Sequence, residues 1–517
     1  MSGRGRRTPA AVLVLALLIV AGPAGPFALV AVGAALLVAR VAVPLARHLA
    51  RRLIPAPRGA ARLGRDPTGR AVALSDEQLG AHALLVGATG AGKTTTLQTI
   101  LADRIARGHP VVAIDMKGSP AFARTLADAA ERVGRSLWIW TPEGPSQWNP
   151  LAHGGPTALK DKLISAERFS EPHYRRAAER YLQTALQVLD AAGPGGAPHL
   201  DEVVAAMEPG RLRALARRTP EPLAGRVATY LEGLTADQLS AARGLGTRLA
   251  LLSESDAGRW LSPAAPAAGH GVSAAGAPAG HGPGATAGEI DLGRSLDGGP
   301  VVLFSINSSV YGALGSQLGA LAIQDLTSAA GRRLTRLGDL DGRTPPATVA
   351  IDEFSALGAD NVLALLARGR EAGVGVLLAT QELADLERAG RGFRDQVLGI
   401  TAVTLAHRQE VHESALAISR LAGTRMVWRE THALPAGPAP GRGTRRQHEE
   451  PVVHPNAIKR LATGQLVLLT AVPRPTVARV RVRAPRVRTT SRRTGGRRAI
   501  GSRDERDGGQ AAPGVTR

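Results

Sequence analysis

The sequence predicts a mixed α/β protein: a mostly parallel, doubly wound sheet, an all-helical insert domain and an N-terminal transmembrane helical hairpin. Three observations carry this. Short apolar runs bounded by turn residues alternate with helical patterns from residue 81 to residue 484. Residues 157–255 lack such runs and repeat their apolar side chains at helical spacing. From Pro9 to Ala39 no residue is charged.

The apolar N-terminus divides at Gly22-Pro23-Ala24-Gly25-Pro26 into two segments, 8–22 and 27–46. A single helix over the uncharged stretch would be about 46 Å long, more than a ~30 Å hydrocarbon core needs. Arg4, Arg6 and Arg7 precede the pair and Arg47, Arg51 and Arg52 follow it. Positive charge on both flanks places both ends, and everything beyond residue 55, on the cytoplasmic side of the cell membrane. A cleaved signal peptide is the rival reading, as is a single amphipathic anchor.

Residues 56–80, rich in Pro, Gly and Arg, read as a linker. Ala83–Val86, Val111–Ile114, Ser136–Trp140, Val301–Phe304, Thr348–Ile351, Val374–Ala379, Thr401–Leu405 and Leu466–Thr470 read as buried parallel strands. They make one domain from two segments, 81–156 and 288–484, around the helical insert. In the insert Tyr174, Ala178, Tyr181, Leu182, Ala185 and Leu189 fall on one helical face. Those tyrosines read as core rather than as a binding stripe. Residues 256–287 read as a low-complexity loop and 485–517 as a basic disordered tail.

Composition bounds the chemistry. The 517 residues include no Cys, which excludes a disulfide scaffold, a thiolate zinc site and cysteine catalysis. Net charge is +21, concentrated at the ends: residues 1–66 carry ten Arg against one Asp, and residues 485–517 nine Arg against three acids. Such ends suit nucleic acid or anionic lipid, or are solvated charge. Six Phe, five Trp and four Tyr make base-stacking platforms sparse, so any nucleic acid is held by sequence-independent phosphate contacts.

The nucleotide signal is specific. Gly87-Ala88-Thr89-Gly90-Ala91-Gly92-Lys93-Thr94 follows the strand Ala83–Val86 and opens a helical run beginning at Thr95. This is the Walker A pattern in its strand–loop–helix context. Its backbone N–H groups wrap phosphates, Lys93 reaches the β- and γ-phosphates and the Thr94 hydroxyl ligates Mg²⁺. The chain therefore reads as a RecA-like P-loop ATPase. Thr348-Val-Ala-Ile-Asp352-Glu353 reads as Walker B, with Asp352 on the Mg²⁺ side and Glu353 as the base for the attacking water. Gln381 ends a strand, where a polar side chain senses the γ-phosphate. Arg368 or Arg370, on a helix before that strand, is a candidate arginine finger for a neighbouring subunit.

The residues between 81 and 485 resemble the type IV coupling proteins of conjugative DNA transfer, the TraD- and TraG-like group of the FtsK–HerA superfamily. The resemblance rests on Gly87–Thr94, Val111-Val-Ala-Ile-Asp115-Met-Lys117-Gly118 and Trp148-Asn149-Pro150-Leu151. It continues through Ile351–Leu357, Arg370-Glu-Ala-Gly373 leading to Gln381, and His454-Pro455-Asn456 with Gly464-Gln465. It implies a membrane-anchored hexameric ATPase that feeds DNA-bearing relaxase complexes to a type IV secretion channel, with Arg370 as the finger. Asp115 and Lys117 match a motif of the group without an evident role.

Two other readings stay open: an FtsK- or HerA-like DNA translocase or protein-secretion ATPase, and a membrane adaptor that binds nucleotide without useful hydrolysis. An ABC transporter is excluded by the missing Leu-Ser-Gly-Gly-Gln signature, and a protein kinase by the missing His-Arg-Asp loop.

Overall fold

The computed structural model describes Arg40 and residues 59–485, except 168, 170, 194, 262–284, 287, 338–344 and 433–442. The predicted transmembrane hairpin, most of the low-complexity loop and the basic tail lie outside the described residues. Among the described residues, no helix is long and apolar enough to cross a membrane.

Among the described residues, fourteen strands and sixteen α-helices follow one another. The first part contains β1 (Ala60–Arg65), β2 (Ala71–Ser75), α1 (Asp76–Gly80), β3 (Ala83–Val86), α2 (Lys93–Ala106), β4 (Val111–Asp115), α3 (Pro120–Glu131) and β5 (Leu137–Trp140). Six helices come next: α4 (Pro156–Ser165), α5 (Pro172–Ala192), α6 (Leu200–Ala206), α7 (Pro209–Ala216), α8 (Glu221–Glu232) and α9 (Ala236–Ser253). The chain then returns through β6 (Ala285–Thr286), α10 (Leu292–Leu296), β7 (Val301–Ser305), α11 (Ser308–Leu337, broken at Gly312) and β8 (Ala347–Asp352). It continues with α12 (Ala359–Gly369), β9 (Val374–Thr380), α13 (Leu383–Ala389), α14 (Phe393–Ile400), β10 (Val403–Ala406) and α15 (His412–Leu421). A ribbon of β11 (Thr424–His432) and β12 (Gly443–Pro451), then α16 (Pro455–Lys459), β13 (Gln465–Thr470) and β14 (Thr476–Val482), complete it.

Twelve strands form one sheet in the order β2-β1-β14-β13-β10-β3-β9-β8-β4-β7-β5-β6. The run from β10 to β6 is parallel. Its strands are apolar on both faces because helices cover both sides. On one face, Leu97, Ile100, Leu101 and Ile105 of α2 and Phe122 and Leu126 of α3 pack against Leu85, Ala113 and Leu303. On the other, α11, α12 and the six-helix segment share one continuous core with Val112, Phe304 and Ile351. Within the six helices Tyr181 is fully buried, whereas Tyr174 is exposed.

Three expectations need correction. Residues 60–80 are not a linker: β1 and β2 join the sheet, β1 pairing β14 with Arg65 opposite Arg481. β1 buries Ala60, Ala61 and Leu63 but exposes Arg62 and Arg65, so it shows no apolar run. The strand at Leu466–Thr470 runs antiparallel to β10. After β10 the chain stays at the carboxyl edge of the sheet, where Gly464 N donates to Ala91 O at 3.0 Å, so it re-enters in the opposite direction. Part of the presumed 256–287 loop is ordered by packing: Trp148 N donates to Trp260 O at 2.9 Å, and Leu261 is buried. The ribbon β11–β12, exposed or half-exposed at residues 424–430 and 444–451, and the strand β14, which buries only Val480, were not legible as apolar runs.

The helical segment is fastened to the sheet domain by a buried polar knot. Trp148 Nε1 donates to Asp325 Oδ2 at 2.9 Å, and Lys162 Nζ lies 2.9 Å from Asp325 Oδ1. Trp148 and Lys162 stand at the root of the helical segment; Asp325 lies on α11.

Candidate active site

The site forms at the carboxyl ends of β3, β9, β8 and β4, which are consecutive in the sheet. Between β3 and α2, Gly90 has φ 74° and Gly92 φ 109°, conformations that L side chains rarely adopt. Gly87 is required by space: a Cβ there would stand 2.5 Å from Cβ of His407. The loop is gripped from outside. Gly87 N donates to Gln381 O at 3.2 Å, Ala88 N to Arg408 O at 2.8 Å, and Thr463 Oγ1 to Gly90 O at 3.3 Å. No side chain caps the N-terminus of α2, which leaves its first N–H groups, those of Lys93, Thr94 and Thr95, for an anion.

Lys93 is buried and donates to Gly87 O and, at 3.3 Å, to Ala88 O. Burial and the neighbouring Lys117 charge hold its pKa below the ordinary lysine value. Thr94 Oγ1 donates to Asp352 Oδ2 at 3.1 Å, so the predicted metal pair meets across two strands. Asp352 is fully buried. Among the described residues no group of three or more His, Cys, Asp or Glu gathers for a metal. Two hard oxygen donors beside a phosphate cradle instead suit Mg²⁺, which keeps waters and phosphate oxygens as its other ligands.

Glu353 follows in the left-handed region, φ 60° and ψ 45°, rare for a residue with a Cβ. The turn points its carboxylate at Lys117, whose Nζ is 2.8 Å from Glu353 Oε1 and 3.4 Å from Asp352 Oδ2. Burial lowers the Lys117 pKa, but the two acids outweigh it and raise the pKa above the ordinary value. Asp115 turns away from this cluster and accepts from Lys117 N at 3.0 Å and Ser119 N at 2.6 Å. It closes the turn that presents Lys117, and burial raises its pKa. The motif around Asp115 and Lys117 thus has a role that residue spacing alone did not disclose.

Gln381 stands where expected, at the end of β9, accepting from Thr89 Oγ1 at 2.9 Å. Arg368 and Arg370 do not join the site. Both are exposed at the end of α12, and Arg370 precedes β9 at the amino edge of the sheet, where Gly373 N donates to Arg370 O at 3.2 Å. The seven residues of β9 separate that edge from Gln381, roughly 23 Å. Sequence reasoning missed His407 altogether. It is fully buried beneath the phosphate loop, with Nε2 3.0 Å from Thr96 Oγ1, and burial pushes its pKa down to about 4. A lone His after an apolar strand carries no recognisable spacing.

Comparisons with known proteins agree with this geometry. Residues 346–463 match the family described as the TraM recognition site of TraD and TraG, and residues 60–133 match the HerA-like helicase C-terminal family. Comparison with curated protein sequences returns no match. Among solved structures, the conjugative coupling protein TrwBdeltaN70 is similar at 16% identity and TM-score 0.58, over 84% of this chain and 91% of that one. TrwB in complex with ADP and Mg²⁺ is similar at 16% identity and TM-score 0.56, over 85% and 92%. VirB4 of Thermoanaerobacter pseudethanolicus is similar at 15% identity and TM-score 0.50, over 83% and 97%. At such identities the structural likeness shows a shared fold, and the family matches over residues 60–133 and 346–463 make those parts of the chain similar to HerA-like helicases and to the TraD and TraG proteins.

Proposed function

We propose that this chain is a Mg²⁺-dependent ATPase that couples hydrolysis to the delivery of DNA, or relaxase-bound DNA, into a type IV secretion channel. The observation that carries the reading is the meeting of Lys93, Thr94, Asp352, Glu353 and Gln381 at one sheet edge. The match of residues 346–463 to the TraD and TraG family ties that ATPase to conjugation and to relaxosome partners.

Each residue has a task that its position supports. The α2 N-terminus and the glycine loop bind phosphates, and Lys93 turns from its loop carbonyls toward them. Thr94 and Asp352 would hold Mg²⁺, which when bound neutralises charge on the phosphate oxygens. Glu353 takes a proton from water, and Gln381, tied to Thr89, orients the group at the loop mouth. Arg370 acts in a neighbouring copy's site, since it cannot reach its own. That requirement favours a ring, and a homohexamer is the form we propose. The apolar stretch 8–46 anchors the ring in the cell membrane, with the ATPase domain in the cytoplasm.

The test uses the full-length chain in lipid nanodiscs. Hydrolysis should require Mg²⁺, rise with added DNA of any sequence, and stop in Glu353→Gln while nucleotide binding persists. Wild-type turnover in Glu353→Gln would remove the assigned base. DNA-independent turnover would remove the DNA motor.

A further inference from the structure

We propose that Lys117 sets the order in which the nucleotide site fills. Its ammonium holds the place of a divalent cation on Asp352, keeps the metal out of the empty site, and leaves for the phosphates when a nucleotide binds. The inference rests on the ATPase reading and deepens it.

Lys117 Nζ lies 3.4 Å from each carboxylate oxygen of Asp352 and 2.8 Å from Glu353 Oε1. Asp352 Oδ2 is also the oxygen that accepts from Thr94 Oγ1 at 3.1 Å. The ammonium therefore sits on the carboxylate assigned to the metal, beside its other assigned ligand. Lys93 does not serve as this counter-ion. It donates to the carbonyls of Gly87 and Ala88, and among the described residues it forms no ion pair.

Exposure says which partner can move. The Asp352 side chain is 0% exposed and has nowhere to turn, whereas that of Lys117 is 38% exposed. The Lys117 backbone is fixed, because Asp115 accepts from Lys117 N at 3.0 Å and from Ser119 N at 2.6 Å. Only the side chain is free to change partners, and a point charge on a four-carbon stem suits such an exchange.

Two cations cannot share one buried carboxylate, since their repulsion is poorly screened away from water. Mg²⁺ also dehydrates reluctantly, so two protein oxygens are a weak inducement against a lysine already in place. A nucleotide changes both sides of the contest. Its phosphates offer Lys117 an alternative anion at the same sheet edge, and they supply the oxygens that a hard cation prefers.

The test titrates Mn²⁺ into the full-length chain in detergent without nucleotide and reads free ion by electron paramagnetic resonance. Wild type and Lys117→Arg, which keeps the charge, should bind the ion at least about ten-fold more weakly than Lys117→Met. Lys117→Gln, a second neutral variant, should match Lys117→Met and serves where methionine disturbs the fold. The extra binding should vanish when Asp352→Asn is added to either neutral variant. ADP should close most of the gap between wild type and the neutral variants. Equal Mn²⁺ affinity in wild type and both neutral variants overturns the proposal, as does extra binding that survives Asp352→Asn. Tight binding by Lys117→Arg would make the effect one of packing rather than charge and overturns it too. A gap that ADP leaves unchanged refutes the exchange. Uptake of fluorescent ADP is measured in parallel: a chain that takes up none refutes the ATPase reading, while the nucleotide-free comparison still decides whether Lys117 excludes the metal.

Discussion

Lys117 Nζ and Glu353 Oε1 stand 2.8 Å apart, so the residue assigned as the base is ion-paired to a lysine in the turn that follows the neighbouring strand β4. The same ammonium lies within 3.4 Å of Asp352. Two carboxylates, Asp352 and Glu353, therefore share the Lys117 ammonium. Lys117→Met should lower the melting temperature of the nucleotide-free protein, because the acids are left to repel one another. The rise in melting temperature on adding Mg²⁺ and nucleotide should be larger than in wild type, since the divalent ion replaces the missing charge. Thermal melts of both proteins with and without ligand check this, and an unchanged ligand-induced rise would speak against the charge-sharing account.

The side chain of Gln381 meets the phosphate loop through Thr89 and not through Lys93. Its loss should therefore spare nucleotide affinity and slow turnover. Removing one preorganised polar group of this kind costs about 10²–10³-fold in rate. Gln381→Ala should show kcat reduced by about that factor with nucleotide Kd within about three-fold of wild type, measured by single-turnover hydrolysis and equilibrium binding.

Arg370 lies at the opposite edge of the sheet from its own phosphate loop, so the finger role proposed for it requires a second subunit. A finger supplied in trans is worth about 10³–10⁵ in turnover. Arg370→Ala should bind ATP normally and hydrolyse it poorly. Mixed with Glu353→Gln, which keeps the finger but lacks the base, it should regain part of the activity in co-assembled rings. Activity no higher than that of either dead variant alone, despite demonstrated co-assembly, would take Arg370 out of the reaction.

The knot of Trp148, Lys162 and Asp325 sets a stability prediction. Lys162 and Asp325 are nearly inaccessible to solvent, at 1% and 6% exposure, so removing one partner leaves an uncompensated buried charge. Asp325→Leu should cost about 3–5 kcal/mol in urea unfolding. The double change Lys162→Met/Asp325→Leu should recover much of that loss. A double variant as unstable as the single one would mean that Trp148, deprived of its acceptor, dominates.

His82 gives the fold a pH dependence. Its ring joins two elements: Nδ1 accepts from Val376 N at 3.0 Å, and Nε2 donates to Leu366 O at 3.0 Å. Burial, with the Arg370 charge adding to it, lowers its pKa to about 4. The unfolded chain binds a proton here near pH 6.5, so the stabilising preference for the neutral ring is complete above that value and is lost as pH falls toward 4. Stability should fall across this window by up to about 3 kcal/mol. His82→Gln should flatten the slope in unfolding titrations between pH 7.5 and 4.5.

The nucleotide machinery was legible because it is local. A glycine loop between a strand and a helix, or two acids closing an apolar strand, is written in consecutive residues whose backbone demands are met within one turn. Helical spacing around Tyr181 and Leu182 announced the insert for the same reason. What tertiary structure decided depends on strands far apart in the chain. The pairing of Arg65 with Arg481, the antiparallel return of β13, His407 beneath Gly87 and the reach of Lys117 to Glu353 all arise when the sheet closes. The sequence by itself determined which residues handle phosphate. Only the sheet order decided which charges face them, and which arginine cannot, because spatial neighbours across parallel strands are set by register and leave no trace in local spacing.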